Sequence, residues 1–181
     1  MADLRKCSLR PLTATDLQEV LTWRNSERIR KVMYNDHIIS WEEHKVWFDK
    51  LQHKNDRKCL IFEYEHKAMG ILSFTDIDNI NRTAFWGFYL GEPSMIKGLG
   101  LSMGVLAIDY TFKELNIRKL CGEAIYSNQA SIKYHYRLGF KEEGRFIKHI
   151  LKNEQLEDIV RFALFREQWR NYRFEIMKIM Q

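Results

Sequence analysis

Cysteine and proline are scarce in this chain, which has three cysteines and two prolines among its 181 residues. Cys7, Cys59 and Cys121 lie far apart, are odd in number and lack the short spacing of metal ligands. We therefore expect free thiols in a reducing compartment and no bound metal. Because no low-complexity stretch or linker interrupts the chain, residues 1–181 are expected to form one compact domain.

Long apolar runs are missing too. No run reaches the roughly 20 residues that span a bilayer as a helix. The first residues, Met1 to Arg5, also lack the apolar core of a signal peptide. These absences predict a cytoplasmic protein without a membrane partner.

No long block of one charge sign occurs either. The 29 basic residues are interspersed with 24 acidic ones, which leaves a formal net charge of +5. This balance suits an enzyme that handles acidic small molecules. Because no helix-turn-helix, zinc-finger or ribonucleoprotein motif accompanies it, we expect no nucleic-acid partner.

Glycine is uncommon, with nine residues, but three of them cluster at Gly98, Gly100 and Gly104. The cluster follows a strand-like apolar run and opens an amphipathic helical pattern. Glycine lets the chain turn without a Cβ clash, and the first amides of a helix lack internal partners and attract anions. The segment therefore predicts a site for a phosphorylated ligand.

Two familiar phosphate loops do not match this segment. A Walker loop needs a Gly-Lys-Ser/Thr triplet, which is absent at the required spacing, and the third glycine lies one residue too late for Gly-x-Gly-x-x-Gly. ATP, GTP, nicotinamide and flavin chemistry are therefore disfavoured. On this segment alone, an ordinary loop with a glycine at a helix start remains the competing interpretation.

The order of apolar patterns predicts an α+β protein with a mostly antiparallel central sheet. A capping box, Ser40-Trp-Glu-Glu43, marks one helix start. Right-handed crossover places strand 119–126 parallel to strand 83–90, with the glycine loop at their carboxyl ends. Strands are expected near 8–12, 58–64, 68–75, 83–90, 119–126, 144–151 and 158–166, and helices over 15–24, from Ser40, from the glycine cluster, over 128–138 and over 167–181.

Two motifs together resemble the Gcn5-related N-acetyltransferase (GNAT) superfamily. They are Met-Ile-Lys-Gly-Leu-Gly at 95–100 and the segment from Asn128 to Gly139-Phe140. The resemblance implies a three-layer α/β fold, with helices on both sheet faces and a parallel strand pair splayed at an acetyl-CoA site. It also implies transfer of an acetyl group from acetyl-CoA to an amine, by direct transfer in a ternary complex.

The resemblance assigns cofactor contacts to the glycine loop, the preceding strand and the signature helix. Backbone amides at 88–90 are expected to polarise the thioester carbonyl, with Gly87 permitting the bulge that frees them. Met95 stands where the superfamily usually has glutamine or arginine, and Lys97 is a candidate to compensate. The full set of expected cofactor contacts is Phe88, Tyr89, Leu90, Lys97, Gly98, Leu99, Gly100, Leu101, Asn128 and Ser131.

The proton donor to the departing thiolate is expected on the signature helix. His135 occupies the position where the superfamily usually has tyrosine, and imidazole has an ordinary pKa of about 6.5. We rank His135 first and Tyr136 second as catalytic residues, with a structural histidine as the competing interpretation. His44 and Glu123 are candidates for the base that takes a proton from the amine. Each also has a purely structural interpretation, which is packing for His44 and an ion pair for Glu123.

Front-half residues resemble a narrower branch, the pseudaminic acid biosynthesis N-acetyltransferases, which acetylate the 4-amino group of a UDP-linked dideoxy sugar. The matching residues are Trp-Arg-Asn at 23–25, Met-Tyr at 33–34, His44, Ser-Phe-Thr at 73–75 and Gly-Phe-Tyr at 87–89. This likeness implies a UDP-amino sugar as the small-molecule substrate. It assigns the acceptor site to Arg24, His44, Thr75 and Tyr89, whereas Asp76 stands where relatives have lysine.

Other functions remain open at this point. Related branches acetylate ribosomal-protein N-termini or polyamines, which require an acidic groove for a cation. A non-enzymatic acyl-CoA- or RNA-binding module is the third alternative, with a basic face of Arg161, Arg166, Arg170 and Arg173. A homodimer is compatible with each of these functions.

Overall fold

A computed structural model describes residues 2–91 and 96–180. The strands are β1 (Cys7–Pro11), β2 (Lys58–Tyr64), β3 (Lys67–Asp78), β4 (Thr83–Leu90), β5 (Lys119–Ile125), β6 (Lys141–Lys152) and β7 (Gln155–Phe165). The helices are α1 (Leu17–Asn25), α2 (Glu27–Arg30), α3 (Trp41–Gln52), α4 (Leu99–Lys113), α5 (Gln129–Arg137) and α6 (Arg166–Met180), with short 3-10 turns at Leu4–Lys6 and Ala14–Asp16.

The described strands form one sheet in the order β1-β2-β3-β4-β5-β7-β6. Neighbouring strands are antiparallel except β4 and β5, which pair in parallel from Thr83 and Lys119 to Phe85 and Cys121. This confirms the predicted fold class and the parallel pair made by the right-handed crossover. The closing hairpin β6–β7 is longer than the pattern predicted.

The sheet separates two apolar cores, as alternation along β2 shows. Leu60 and Phe62 belong to the core that contains α4 and parts of α5 and α6, whereas Cys59 and Ile61 belong to the core under α1. Successive strand side chains point to opposite faces, so an uninterrupted apolar strand buries both faces of a sheet. The fold is therefore three layers, with helices on both faces.

Local sequence explains the start of α3. The Ser40 Oγ accepts a hydrogen bond from the Glu43 amide at 3.2 Å, and the Glu43 carboxylate accepts one from the Ser40 amide at 2.7 Å. Both halves of the predicted capping box are therefore present. The four-residue helix α2 was not predicted, because one turn is too short to show a periodic pattern.

The terminal helix α6 is attached to α4 through a buried carboxylate. Trp169 Nε1 and Arg173 Nε donate to Asp109, both at 2.8 to 2.9 Å. Arg161 pairs with Glu123 at 3.0 Å, and Arg166 donates to the Phe112 carbonyl. Three of the four arginines proposed as a basic RNA-binding face are therefore engaged within the fold, which argues against that face.

No helix within residues 2–91 and 96–180 is both long and apolar enough to cross a membrane. Across the same two ranges, no group of three His, Cys, Asp or Glu side chains is placed to hold a metal ion.

Candidate active site

The central opening of the sheet lies between β4 and β5. The two strands pair as far as Phe85 and Cys121, after which residues 86–90 and 122–125 continue without pairing to each other. Backbone groups on these diverging edges are therefore available to a ligand that enters between the strands, except the Leu90 carbonyl, which accepts from Arg28 Nη2 at 2.9 Å. This is the splayed pair that the superfamily resemblance implied.

The amides that face this opening can be identified from the hydrogen bonding of β4. The Gly91 amide donates to the Met69 carbonyl near the start of β3. Because the direction of the backbone amides alternates along a strand, the Tyr89 amide also points toward β3. The amides of Phe88 and Leu90 point the other way, toward the opening. The Phe88 and Leu90 amides therefore face the opening and the Tyr89 amide does not, while their predicted contact with the cofactor stays a prediction.

The predicted bulge at Gly87 is absent. Pairing between β3 and β4 is continuous from Gly70 and Leu90 to Thr75 and Phe85, and the register shift lies between Thr75 and Asp78. Divergence of β4 from β5, rather than a bulge, leaves the amides available. A Cβ on Gly87 would lie 2.9 Å from the Ser73 Oγ, so glycine permits close strand approach there.

The glycine loop ends beside the same opening. Gly98 has φ of +87°, which favours glycine, and its carbonyl accepts the Ser102 amide at 3.0 Å. The first turn of α4 therefore starts at this residue, and the amides of such a turn lack partners inside the helix. The side chains of Leu99 and Leu101 are buried, so only their backbone can serve a ligand.

Helix α5 packs its signature residues against this turn. Tyr134 donates from its hydroxyl to the Gly100 carbonyl at 2.6 Å, which ties α5 to the start of α4. The Asn128 Oδ1 accepts the Ser131 amide at 3.1 Å and thereby caps α5. The predicted cofactor contacts of Asn128, Ser131 and Lys97 stay predictions, and Met95 lies outside the described residues.

His135 lies in the core where β4 and β5 part. It is 1% exposed, and its Nδ1 is 2.8 Å from the Ser131 carbonyl. Its Nε2 accepts a hydrogen bond from Trp86 Nε1 at 3.2 Å. A Cβ on Gly122 would lie only 2.6 Å from that Nε2, so His135 fills the space that this glycine leaves.

This environment argues against His135 as the proton donor. Burial lowers the pKa of its imidazole to about 4, so the ring is neutral near pH 7. The neutral ring carries its proton on Nδ1, which donates to the Ser131 carbonyl. On the same helix, His135 is more buried than Ala130 or Tyr134.

We predict that His135 does not titrate between pH 5 and 8. Its pKa is about 4 in the folded state and about 6.5 unfolded, so the unfolded chain binds more protons between those values. The free energy of unfolding therefore falls as pH drops through this window. NMR of ¹⁵N-histidine protein, with the signal assigned by its loss in His135→Asn, should show a neutral Nδ1–H tautomer at pH 5.5. A signal midpoint near 6.5 would contradict this.

Tyr136 is also poorly placed as the acid. It is 48% exposed, and its hydroxyl donates to Glu142 at 2.8 Å, a hydrogen bond that raises the pKa of the phenol. Of the three consecutive aromatic residues, Tyr134 contacts Phe88 on β4 and also reaches the first turn of α4. The position of a residue on α5 is therefore not enough to identify the proton donor.

On the opposite face of β3 and β4, a cavity of about 390 Å³ lies beneath α1 and α3. All four residues predicted to bind the acceptor line it, namely Arg24, His44, Thr75 and Tyr89. They come from α1, α3, β3 and β4. Apolar side chains complete much of the wall, including Val20, Met33, Ile39, Trp47, Leu51 and Ile71.

Two buried nitrogens in this cavity lack hydrogen-bond partners among the described residues, Arg24 Nη1 and His44 Nε2. Arg24 uses its Nη2 to donate to the Asn35 carbonyl at 2.5 Å, and burial lowers the pKa of its guanidinium. His44 stacks on Trp47 and also has a pKa lowered by burial. Unpaired buried polar atoms are rare in folded proteins and indicate a missing partner.

A second cavity of about 360 Å³ adjoins the first and shares Ser73, Thr75 and Gly87 with it. Glu123 lies in this second cavity, where it accepts from the Tyr34 hydroxyl at 2.8 Å and from Arg161. The ion pair anticipated for this carboxylate is therefore present. The Tyr34 contact was missed, because nothing in the sequence links residues so far apart.

Comparison with known proteins decides the family. A family model described as an acetyltransferase (GNAT) domain matches residues 6–141 of this chain. The chain belongs to the GNAT acetyltransferase family. This GNAT is therefore an N-acetyltransferase that uses acetyl-CoA.

Relatives of this GNAT differ in their acceptors. The spermidine N(1)-acetyltransferase of Escherichia coli (strain K12) is 25% identical over 169 residues, 93% of this chain and 91% of the relative. A putative ribosomal N-acetyltransferase of Bacillus subtilis (strain 168) is 27% identical over 106 residues, 59% of this chain and 58% of the relative.

A solved structure shows the same fold. The crystal structure of spermidine N-acetyltransferase from Vibrio cholerae in complex with CoA and spermine has a TM-score of 0.86. At 22% identity the match covers 92% of this chain and 99% of that chain. The names of the two spermidine N-acetyltransferases give a polyamine as the acceptor, and none of the three relatives is named for the nucleotide sugar that the front-half resemblance implied.

Proposed function

We propose that this GNAT acetylates an amino group carried by an anionic molecule, a UDP-linked amino sugar of the pseudaminic acid type. The observation that carries the proposal is the unpaired, buried Nη1 of Arg24 in the acceptor cavity. A desolvated guanidinium nitrogen without a partner is unfavourable. A diphosphate or uracil oxygen is an acceptor of the right chemistry, because guanidinium forks match oxygen pairs.

His44 supports the same chemistry. Its Nε2 is buried without a partner among the described residues, and burial lowers the pKa of the ring, so the neutral imidazole presents Nε2 to the cavity as an acceptor when its proton is on Nδ1. A sugar hydroxyl or neutral amine donates to such a nitrogen. The Tyr89 hydroxyl, held protonated because burial raises its pKa, adds a donor to the same cavity.

The acetyl donor is assigned to the opening on the other side of β4. The amides of Gly98, Gly100 and Leu101 at the start of α4 would hold its diphosphate, whereas the Leu99 amide donates to the Ile96 carbonyl at 3.4 Å. The Phe88 and Leu90 amides face the position of the thioester. Bound acetyl-CoA supplies the electrophilic carbonyl carbon. The chain itself supplies orientation of two substrates across one strand, which is the main requirement for amine attack on a thioester.

A polyamine is the second candidate acceptor, and the named activities of the relatives favour it over the sugar. Glu43 lines the acceptor cavity itself, and Asp76 and Glu123 line the adjoining second cavity, so these three carboxylates are the groups that would receive a cation. Arg24 opposes this candidate, because a buried positive charge repels an amine that binds beside it. Glu123 is also already paired with Arg161.

An acceptor panel tests the proposal. Free thiol release from acetyl-CoA is measured with UDP-amino sugars, spermidine, spermine and ribosomal N-terminal peptides at matched concentration. We expect kcat/KM for a UDP-amino sugar to exceed that for spermidine by about 100-fold, the scale of one lost buried charged hydrogen bond. Equal or greater activity on spermidine would overturn the proposal in favour of the polyamine.

A further inference from the structure

One wall of the acceptor cavity has no regular secondary structure. Residues 31–40, between α2 and α3, contain turns and bends, and Met33, His37 and Ile39 from this segment line the cavity. We call residues 31–40 the acceptor wall. A segment without helical or sheet hydrogen bonds keeps its shape only through contacts with other elements.

Near the start of the chain, α1 and α2 hold both ends of the acceptor wall. Asn25 donates to the Ile39 carbonyl and accepts from the Ile39 amide, both at 2.8 Å. Arg30 donates from Nη1 to the Asp36 carbonyl at 2.8 Å. The Val32 and Met33 amides also donate to the Ile29 and Arg30 carbonyls, each at 3.1 Å. These contacts hold the amides at the start of the wall but leave the Met33 carbonyl to be held by another element.

Lys152, which lies about 120 residues later in the sequence, supplies the contact that holds this part of the wall. It ends β6, and its side chain is 9% exposed. Its Nζ donates to the Met33 carbonyl and to the Arg30 carbonyl at 3.4 Å, and it lies 3.8 Å from the Asp36 carboxylate. All three partners belong to the acceptor wall or to the residue just before it, so one ammonium group organises the turn that carries Met33.

We infer that Lys152 is a positioning residue for the acceptor site, acting through the wall formed by residues 31–40. Burial of an ammonium group is unfavourable unless its donors are satisfied, so this lysine and the three oxygens hold each other in place. Met33 then faces the first cavity while Tyr34 faces the second, where its hydroxyl reaches Glu123. The inference rests on the first cavity being the acceptor site, as proposed above.

The test begins with hydrogen exchange, because it needs no acceptor. In Lys152→Met, amide exchange across residues 31–39 is expected to rise about tenfold, since opening this segment no longer breaks charge-assisted hydrogen bonds. Lys148→Met is the matched control, because Lys148 lies on the same strand with an exposed side chain. Exchange in Lys152→Met equal to that in Lys148→Met would overturn the inference.

Kinetics separate positioning from general loss of structure. Lys152→Met should raise KM for the acceptor about tenfold, while kcat and the dissociation constant of acetyl-CoA stay within about twofold, because the acetyl-CoA opening lies on the other sheet face. Lys152→Arg, which keeps a buried cation and several donors, should recover part of both effects. Raised exchange with an unchanged acceptor KM would overturn the link to the acceptor site. If no panel member is acetylated, the proposed function fails, whereas the exchange result still decides whether Lys152 holds the wall.

Discussion

Replacing Arg24 with methionine is expected to lower kcat/KM for a UDP-amino sugar by about 100- to 1000-fold, the effect of losing one partner of a buried charged hydrogen bond. Arg24 Nη1 has no partner among the described residues, so the substrate is expected to provide it. Measured by calorimetry, the dissociation constant of acetyl-CoA should stay unchanged, because Arg24 lies on the other face of the sheet from the opening.

Arg57→Met is the matched control for this experiment. Arg57 lines the same cavity but is exposed, so its loss should change kcat/KM less than about threefold. Arg24 also donates to the Asn35 carbonyl, so thermal unfolding of both variants must be compared. If Arg24→Met raised activity on spermidine and left sugar activity unchanged, the anionic acceptor would be excluded.

Replacing Gly98 with valine is expected to raise the dissociation constant of acetyl-CoA at least about tenfold. A β-branched residue at φ of +87° is strained by roughly 1–2 kcal/mol and must turn the first amides of α4 away from their present direction. Isothermal titration calorimetry gives the constant directly, and circular dichroism reports whether the fold is retained.

Substitutions at two further glycines distinguish a loss of cofactor binding from a loss of folding. A Cβ on Gly100 would meet its nearest neighbour, Leu90 Cδ1, at 3.8 Å, so Gly100→Ala fits the protein and a loss of affinity would report the ligand's approach. Gly144 on β6 has no heavy atom within 4 Å of a built Cβ, and Gly144→Ala should bind acetyl-CoA normally. Normal affinity in Gly98→Val would exclude the glycine loop as the diphosphate site.

The names of the relatives favour a polyamine as the acceptor, whereas Arg24 in the cavity favours an anionic molecule. The cavity bears more directly on specificity, because its side chains would contact the acceptor. Relatives at 22% to 25% identity share the fold. Acceptor choice depends on a few side chains, such as Arg24 and His44, which can differ while the scaffold persists. The acceptor panel and the Arg24 variant therefore answer a question that overall similarity leaves open.

Elements with local causes were predictable from the sequence. The capping box at Ser40 and the apolar strand 58–64 depend on neighbours a few residues away, and both lie where expected. The glycine cluster before α4 belongs to the same group, because a left-handed residue and a helix start are local properties. The parallel pair followed from a chirality rule that needs only element order.

The chemical state of His135 was not predictable from its position on a helix. Helical spacing suggests which residues share a stripe, but which stripe packs inward depends on the sheet beneath it. Gly122 on β5 leaves the space and Trp86 on β4 provides the hydrogen bond, and both are distant in sequence. The buried imidazole is consequently neutral, which motif matching alone could not reveal.

The sequence by itself determined the α+β arrangement, the glycine loop at a helix start and the superfamily, because local periodicity, capping and short motifs encode them. Tertiary structure alone decided that Arg24 and His44 face one cavity with unpaired nitrogens, that His135 is packed in the core, and that Lys152 reaches the acceptor wall. These properties arise because residues that are distant in the sequence pack together and exclude water. How far a polar group is desolvated depends on all of its neighbours in space, and the local sequence does not specify them.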